Sequence, residues 1–128
     1  MAKVLTTLDD HEARELLGTA RVGFVAYESR RGLDMTPVNF RTSGNTIYIR
    51  TVEFGTLAEL APGSEPVAFL VAYLDRLSQT GWTVKVRGKI RAIQADELPE
   101  VDPKPWTGYP ETVLLGLEIE EVTGRRLH

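Results

Sequence analysis

From Arg21 onward, apolar residues recur at every second position instead of every third or fourth, and the segments patterned this way are joined mainly by short turns. Alternation of period two is the signature of strands with one face buried, and short turns permit only antiparallel neighbours. Arg21–Glu28 (RVGFVAYE) reads as a strand closed by the polar turn Ser29–Gly32, and Leu33–Arg41 reads as its partner. Pro37 has no N–H to donate, so it must lie at an edge or a bulge of that second strand. Thr42–Asn45 (TSGN) is a hairpin turn, and Thr46–Thr51 (TIYIRT) is a third strand of β-branched and aromatic residues.

Three further strands follow. Pro66–Leu74 (PVAFLVAYL) is apolar at nearly every position, which predicts burial of both faces, by the core and by another element or subunit. Gly81–Gln94 alternates cleanly: Trp82, Val84, Val86, Gly88 and Ile90 share one face, while Thr83, Lys85, Arg87, Lys89 and Arg91 share the other. Asp96–Pro110 carries four prolines and reads as loop, Thr112–Val122 as the last strand, and Thr123–His128 as a tail. Helical content is small. Asp9 as N-cap with Glu12 three residues on starts one short helix, Leu8 staples onto Ala13, and Gly18 is its expected stop; Thr56–Ala61 is a second, briefer helix. Six strands in one 128-residue domain, spanning residues 1–128, predict a mainly β antiparallel barrel. A barrel this small, with a doubly apolar strand, points to a homodimer.

Composition narrows the chemistry. There is no cysteine, so disulfides, thiolate nucleophiles and cysteine-ligated metals are excluded. The two histidines, His11 and His128, lie near opposite ends of the chain, which argues against a catalytic triad or a two-histidine metal site. Chemistry, if any, is expected from a bound group instead of from side chains. A net charge of −3 argues against nucleic acid and anionic membranes as partners. No apolar run of membrane-spanning length occurs, and a cytoplasmic protein is expected.

Several residues are candidates, each with a plainer structural reading. Arg50-Thr51 followed by Gly55-Thr56 places a guanidinium, hydroxyls and a turn together, a set that suits a phosphate; equally, it is an exposed strand end with a capping threonine. The ladder Lys85, Arg87, Lys89 and Arg91 suits an anionic ligand, or else cross-strand pairs with Glu118 and Glu120. Trp82 either lies against a planar ring system or closes one end of the barrel. Trp106 reads as a loop anchor or dimer contact, and His11 as solvated. Glu120 and Glu121 are strand neighbours, whose side chains should diverge, so a paired-carboxylate mechanism is not expected.

Taken in order, Val22–Tyr27, Thr36-Pro37-Val38-Asn39-Phe40, Ile47–Thr51, Leu57-Ala58-Glu59-Leu60, Pro66–Phe69, Gly81-Trp82-Thr83-Val84 with Val86-Arg87-Gly88, and Val122-Thr123-Gly124-Arg125-Arg126 resemble the pyridoxamine phosphate oxidase-like flavin-nucleotide-binding proteins. The resemblance spans about Arg14 to Arg126 and implies a six-stranded antiparallel split β-barrel, dimeric, holding FMN between subunits. It implies that Pro37, Val38 and Asn39 border the isoalloxazine ring, and that Arg50 and Thr51 hold the phosphate with the Gly55-Thr56-Leu57 turn. Trp82 and Arg87 would line the cleft. Thr56 stands near the place where many relatives carry a lysine, and Leu70 and Ala72 stand where acidic residues are common. A deazaflavin coenzyme is therefore an alternative to FMN. The implied function is hydride transfer through the flavin at a homodimer interface; the alternatives are a deazaflavin-dependent reductase, or a flavin- or haem-binding or storage protein without turnover.

Overall fold

The computed structural model describes residues 4–52, 57–60, 65–93, 96–97, 103 and 112–128. Seven strands account for most of them: β1 (Leu5–Leu8), β2 (Val22–Ser29), β3 (Gly32–Ser43), β4 (Thr46–Val52), β5 (Pro66–Asp75), β6 (Thr80–Ala92) and β7 (Thr112–Leu127). One helix, α1 (Asp10–Thr19), and a 3-10 turn at Leu57–Leu60 complete the elements. All strand pairings are antiparallel, in the order β1-β7-β4-β3-β2-β5-β6, and β6 pairs back onto β7. Six strands therefore close on themselves, as the sequence predicts, and β1 adds to the far end of β7.

The length of β7 makes this closure possible. Residues 112–118 pair with β4, 115–127 pair with β6, and the last four residues also pair with β1. The expected tail Thr123–His128 is thus mostly strand, and β1 was not anticipated from the sequence. Four residues carry too little alternation to signal a strand alone; β1 exists because β7 offers it an edge. Along β7 one extra residue, Glu120, stands between the pairs Arg87–Glu121 and Gly88–Ile119. That bulge breaks the ladder's regular alternation, and Glu120 and Glu121 are both exposed there.

Local chemistry explains the remaining boundaries. Asp9 caps α1, its carboxylate accepting from the Glu12 N–H at 2.8 Å. The helix runs through Gly18 to Thr19, one residue past the expected stop, and is capped by the extended residue Ala20. Gly32 and Gly44 hold positive φ angles of 110° and 60° in the two turns that flank β3, a backbone state glycine enters freely. Pro37 pairs with Phe24 of β2, and the pairing of β3 with β4 begins only at Asn39. Its missing N–H therefore falls on an edge, as proline requires.

The interior of the ring is filled by alternate residues of every long strand: Val25, Phe40, Ile47, Ile49, Phe69, Val84, Val86, Leu115 and Leu117 are all buried. Phe40 and Phe69 meet edge to face, with centroids 4.9 Å apart and ring planes at 81°, an arrangement favoured by the ring quadrupoles. Leu17 and Ala13 of α1 and Leu57 of the 3-10 turn join this core. Among the described residues no helix is long and apolar enough to cross a membrane.

Candidate functional site

Because strands alternate, filling the interior leaves a second set of side chains on the outer face. On β5 the inward set is Val67, Phe69 and Val71, all buried, while Leu70 is 41% exposed. The expectation that Pro66–Leu74 is covered on both faces is met on one face only, because nothing else in the described chain packs against the other. Phe24 and Met35 lie on the same outer surface and are 47% and 65% exposed.

Register aligns these residues into two rows across the sheet. One runs Met35–Ala26–Ala68–Arg87–Glu121, and the next runs Pro37–Phe24–Leu70–Lys85–Thr123. Each row is apolar on β3, β2 and β5 and turns cationic on β6. Phe24, Ala26, Met35, Ala68 and Leu70 surround a recess of about 260 Å³, with Lys85 at its border. Beside it, between β6 and β7, a second recess of about 350 Å³ is bounded by Thr83, Lys85, Arg87, Glu121, Thr123 and Arg125. Leu70 and Lys85 belong to both, so the two recesses adjoin.

At the opposite border of the apolar patch, Asn39 of β3 stands directly opposite Arg50 of β4. Both residues follow the outward alternation, since Phe40 and Ile49 beside them are buried. Each already makes an interaction of its own within the chain. Thus Pro37, Asn39, Arg50 and Arg87, four of the residues singled out from the sequence, share one face of the sheet. The others do not share it. Val38 and Leu57 are buried in the core, and Trp82 packs against it. Thr51 follows the inward alternation next to Arg50, so their side chains leave the strand on opposite sides. Gly55, Thr56 and Trp106 lie outside the described residues.

The basic ladder on β6 divides in two. Arg91 donates through Nε to Glu118 at 2.6 Å and through Nη1 to Glu97 at 2.7 Å. These hydrogen bonds, Glu97's first, hold the guanidinium pKa above its ordinary value. Arg91 is thereby committed to the fold, as the cross-strand reading expects. Arg87 and Lys85 have no ion-pair partner among the described residues, although Glu121 lies opposite Arg87 in register.

A planar apolar body with an anionic tail matches a surface like this one, greasy in the middle and cationic at both borders. The family model for pyridoxamine 5'-phosphate oxidase matches residues 9–126. The chain belongs to that family. Among solved structures, a protein from Corynebacterium glutamicum assigned as a pyridoxamine 5'-phosphate oxidase is 26% identical, with a TM-score of 0.79 over 96% of this chain and 98% of its own. An FAD-binding protein from Mycobacterium smegmatis is 23% identical, with a TM-score of 0.76 over 98% of this chain and all of the other (100%). An FAD-binding protein from Mesorhizobium loti is 20% identical, with a TM-score of 0.77 over 99% of each chain. These last two show a shared fold and nothing finer. No curated protein matches the chain.

Within the family's split-barrel frame, the sequence reading misses Phe24, Met35, Leu70 and Arg125 as surface features, whereas Lys85 is exposed as the β6 ladder predicts. A signal was present. Val22–Tyr27 is as continuously apolar as Pro66–Leu74, and both runs lie side by side as β2 and β5. A strand pair with two apolar faces covers only one of them inside a small ring.

Proposed function

We propose that this chain is a flavin-nucleotide-binding oxidoreductase of the pyridoxamine 5'-phosphate oxidase family, acting as a homodimer that encloses its cofactor between two outer faces. The observation that carries the reading is the exposed patch Phe24–Met35–Leu70 with Arg50 at one border and Lys85 and Arg87 at the other. The residues fit the group: the apolar recess suits one side of a flat ring, and a guanidinium suits a phosphate through forked, charge-assisted hydrogen bonds. When bound, the flavin supplies hydride chemistry that no side chain here offers.

In this reading Pro37 and Asn39 border the ring and Arg50 holds the phosphate. Arg87 approaches from the β6 side. The second protomer excludes water from Phe24, Met35 and Leu70, which stay exposed in one chain alone. FMN is the first choice of cofactor. FAD and a deazaflavin coenzyme are its competitors, FAD because three structural neighbours are named for binding it, one of them together with haem.

Titration of the purified protein with FMN, FAD and a deazaflavin coenzyme, followed by flavin fluorescence, decides between them. Quenching with one-to-one stoichiometry per protomer supports the reading, and no saturable change with any of the three refutes it. Two neighbours are named for binding haem, alone or with FAD. A bound flavin that reduced nicotinamide nucleotides never bleach would favour a storage or carrier role over turnover.

A further inference from the structure

We infer that the recess between β6 and β7 is a second anion site, built for a ligand with two or more linked phosphates and separate from the Arg50 end of the face. Lys85, Arg87 and Arg125 all border it, against a single carboxylate, Glu121. The chain as a whole is acidic, with a net charge of −3, so three cations around one recess run against its general balance.

Their lack of internal partners strengthens the case. Elsewhere Arg91 is matched to Glu118 and Glu97, Arg14 to Asp10 and Arg30 to Glu59, while Arg41, Arg76, Lys89 and Arg126 have no ion pair among the described residues either. What sets Lys85, Arg87 and Arg125 apart is that all three border one recess. Among the described residues no carboxylate lies within ion-pair distance of Lys85, Arg87 or Arg125. Thr83 and Thr123 add hydroxyl donors between them.

Spacing selects the ligand class. Arg87 is opposite Glu121, Lys85 opposite Thr123, and Thr83 opposite Arg125. The three cations therefore step along the strand pair two residues at a time, about 6.6 Å per step. Side chains anchored over such a span can engage two linked phosphates at once, which suits a diphosphate, as in a nucleoside diphosphate or a dinucleotide. Arg50 lies four inter-strand steps from Lys85 across β3, β2 and β5, about 19 Å along the curved surface. One phosphate cannot use both ends.

The test is calorimetric titration of the full chain, without flavin, using inorganic pyrophosphate, inorganic phosphate and ADP. Pyrophosphate and ADP are expected to bind saturably, more weakly at raised salt, and both more tightly than phosphate. A Lys85→Gln/Arg125→Gln double variant should lose about tenfold or more in pyrophosphate affinity, as charge-assisted hydrogen bonds are removed. Glu121→Gln should bind pyrophosphate more tightly than the parent, a gain that misfolding cannot produce. Unchanged affinity in the double variant, or phosphate binding as tightly as pyrophosphate, would overturn the site. Neither result depends on whether FMN binds, so the flavin reading stands or falls separately.

Discussion

Asn39 and Arg50 stand directly opposite one another at the point where β3 takes up its pairing with β4. The pair puts an amide and a guanidinium at the corner of an apolar patch, half-buried and already engaged within the chain. An arginine held in this way presents its fork with little entropy left to lose, which is what makes it a good phosphate ligand. Arg50→Ala should weaken flavin binding by about 1.5–3 kcal/mol, the cost of a lost hydrogen bond to a charged group. Fluorescence titration of parent and variant checks this, and equal affinities would remove Arg50 from the site.

The dimer proposal turns on Leu70. It sits between Phe24 of β2 and Lys85 of β6, facing away from the core. A single chain loses nothing by accepting a charge there, whereas an apolar interface would have to bury it unpaired. Leu70→Lys, which sets a second cation directly opposite Lys85, is therefore expected to remain folded and to sediment as a monomer, while the parent sediments as a dimer. A parent that is itself monomeric at micromolar concentration would defeat the proposal.

Much of this arrangement was legible in the sequence because strands write their faces into alternate positions. The inward and outward sets of β6 follow the predicted order residue by residue, and Pro37 takes the edge that its missing N–H demands. What alternation cannot report is which strand lies beside which. That Lys85 and Arg87 continue rows begun by Phe24 and Ala26 depends on β2–β5 pairing, a contact between segments about forty residues apart. The bulge at Glu120 escaped for a similar reason, since one inserted residue leaves the sequence pattern on either side intact. Trp82, for which the sequence allows two readings, is half-buried and packs against the core.

Gly88 shows a tighter constraint at that bulge. A Cβ there would press into the backbone carbonyl oxygen of Glu118 and come within 2.8 Å of Leu117 Cδ2. The carbonyl belongs to β7, which is fixed by β4 on its other side, so it cannot easily withdraw. Gly88→Ala should destabilise the protein by about 1–3 kcal/mol, as overpacking does. Urea unfolding of the variant beside the parent measures it, and a stability within error of the parent would show that β7 moves at this point.

The triad of Arg91, Glu118 and Glu97 ties β6 to β7 and to the start of the connection between them. Thr46 Oγ1 donates to the same Glu118 Oε1 at 2.9 Å, so β4 is joined as well. All three charged side chains are about one-third exposed (34–38%), which leaves them open to screening. Arg91→Met keeps most of the alkyl stem but leaves two carboxylates without their shared cation. A loss of about 1 kcal/mol is expected at low salt, shrinking as salt rises. Because the Arg91 pKa is raised in the folded state, its contribution is fully present below the unfolded value and fades only as pH climbs through the folded one. Both values are strongly alkaline, so deprotonation of Arg91 should play no part in the stability profile between neutral and mildly alkaline pH. Urea midpoints for parent and variant across that range should therefore stay a constant distance apart, and a gap that closed as pH rose from neutral would mean that a group other than Arg91 governs this contact.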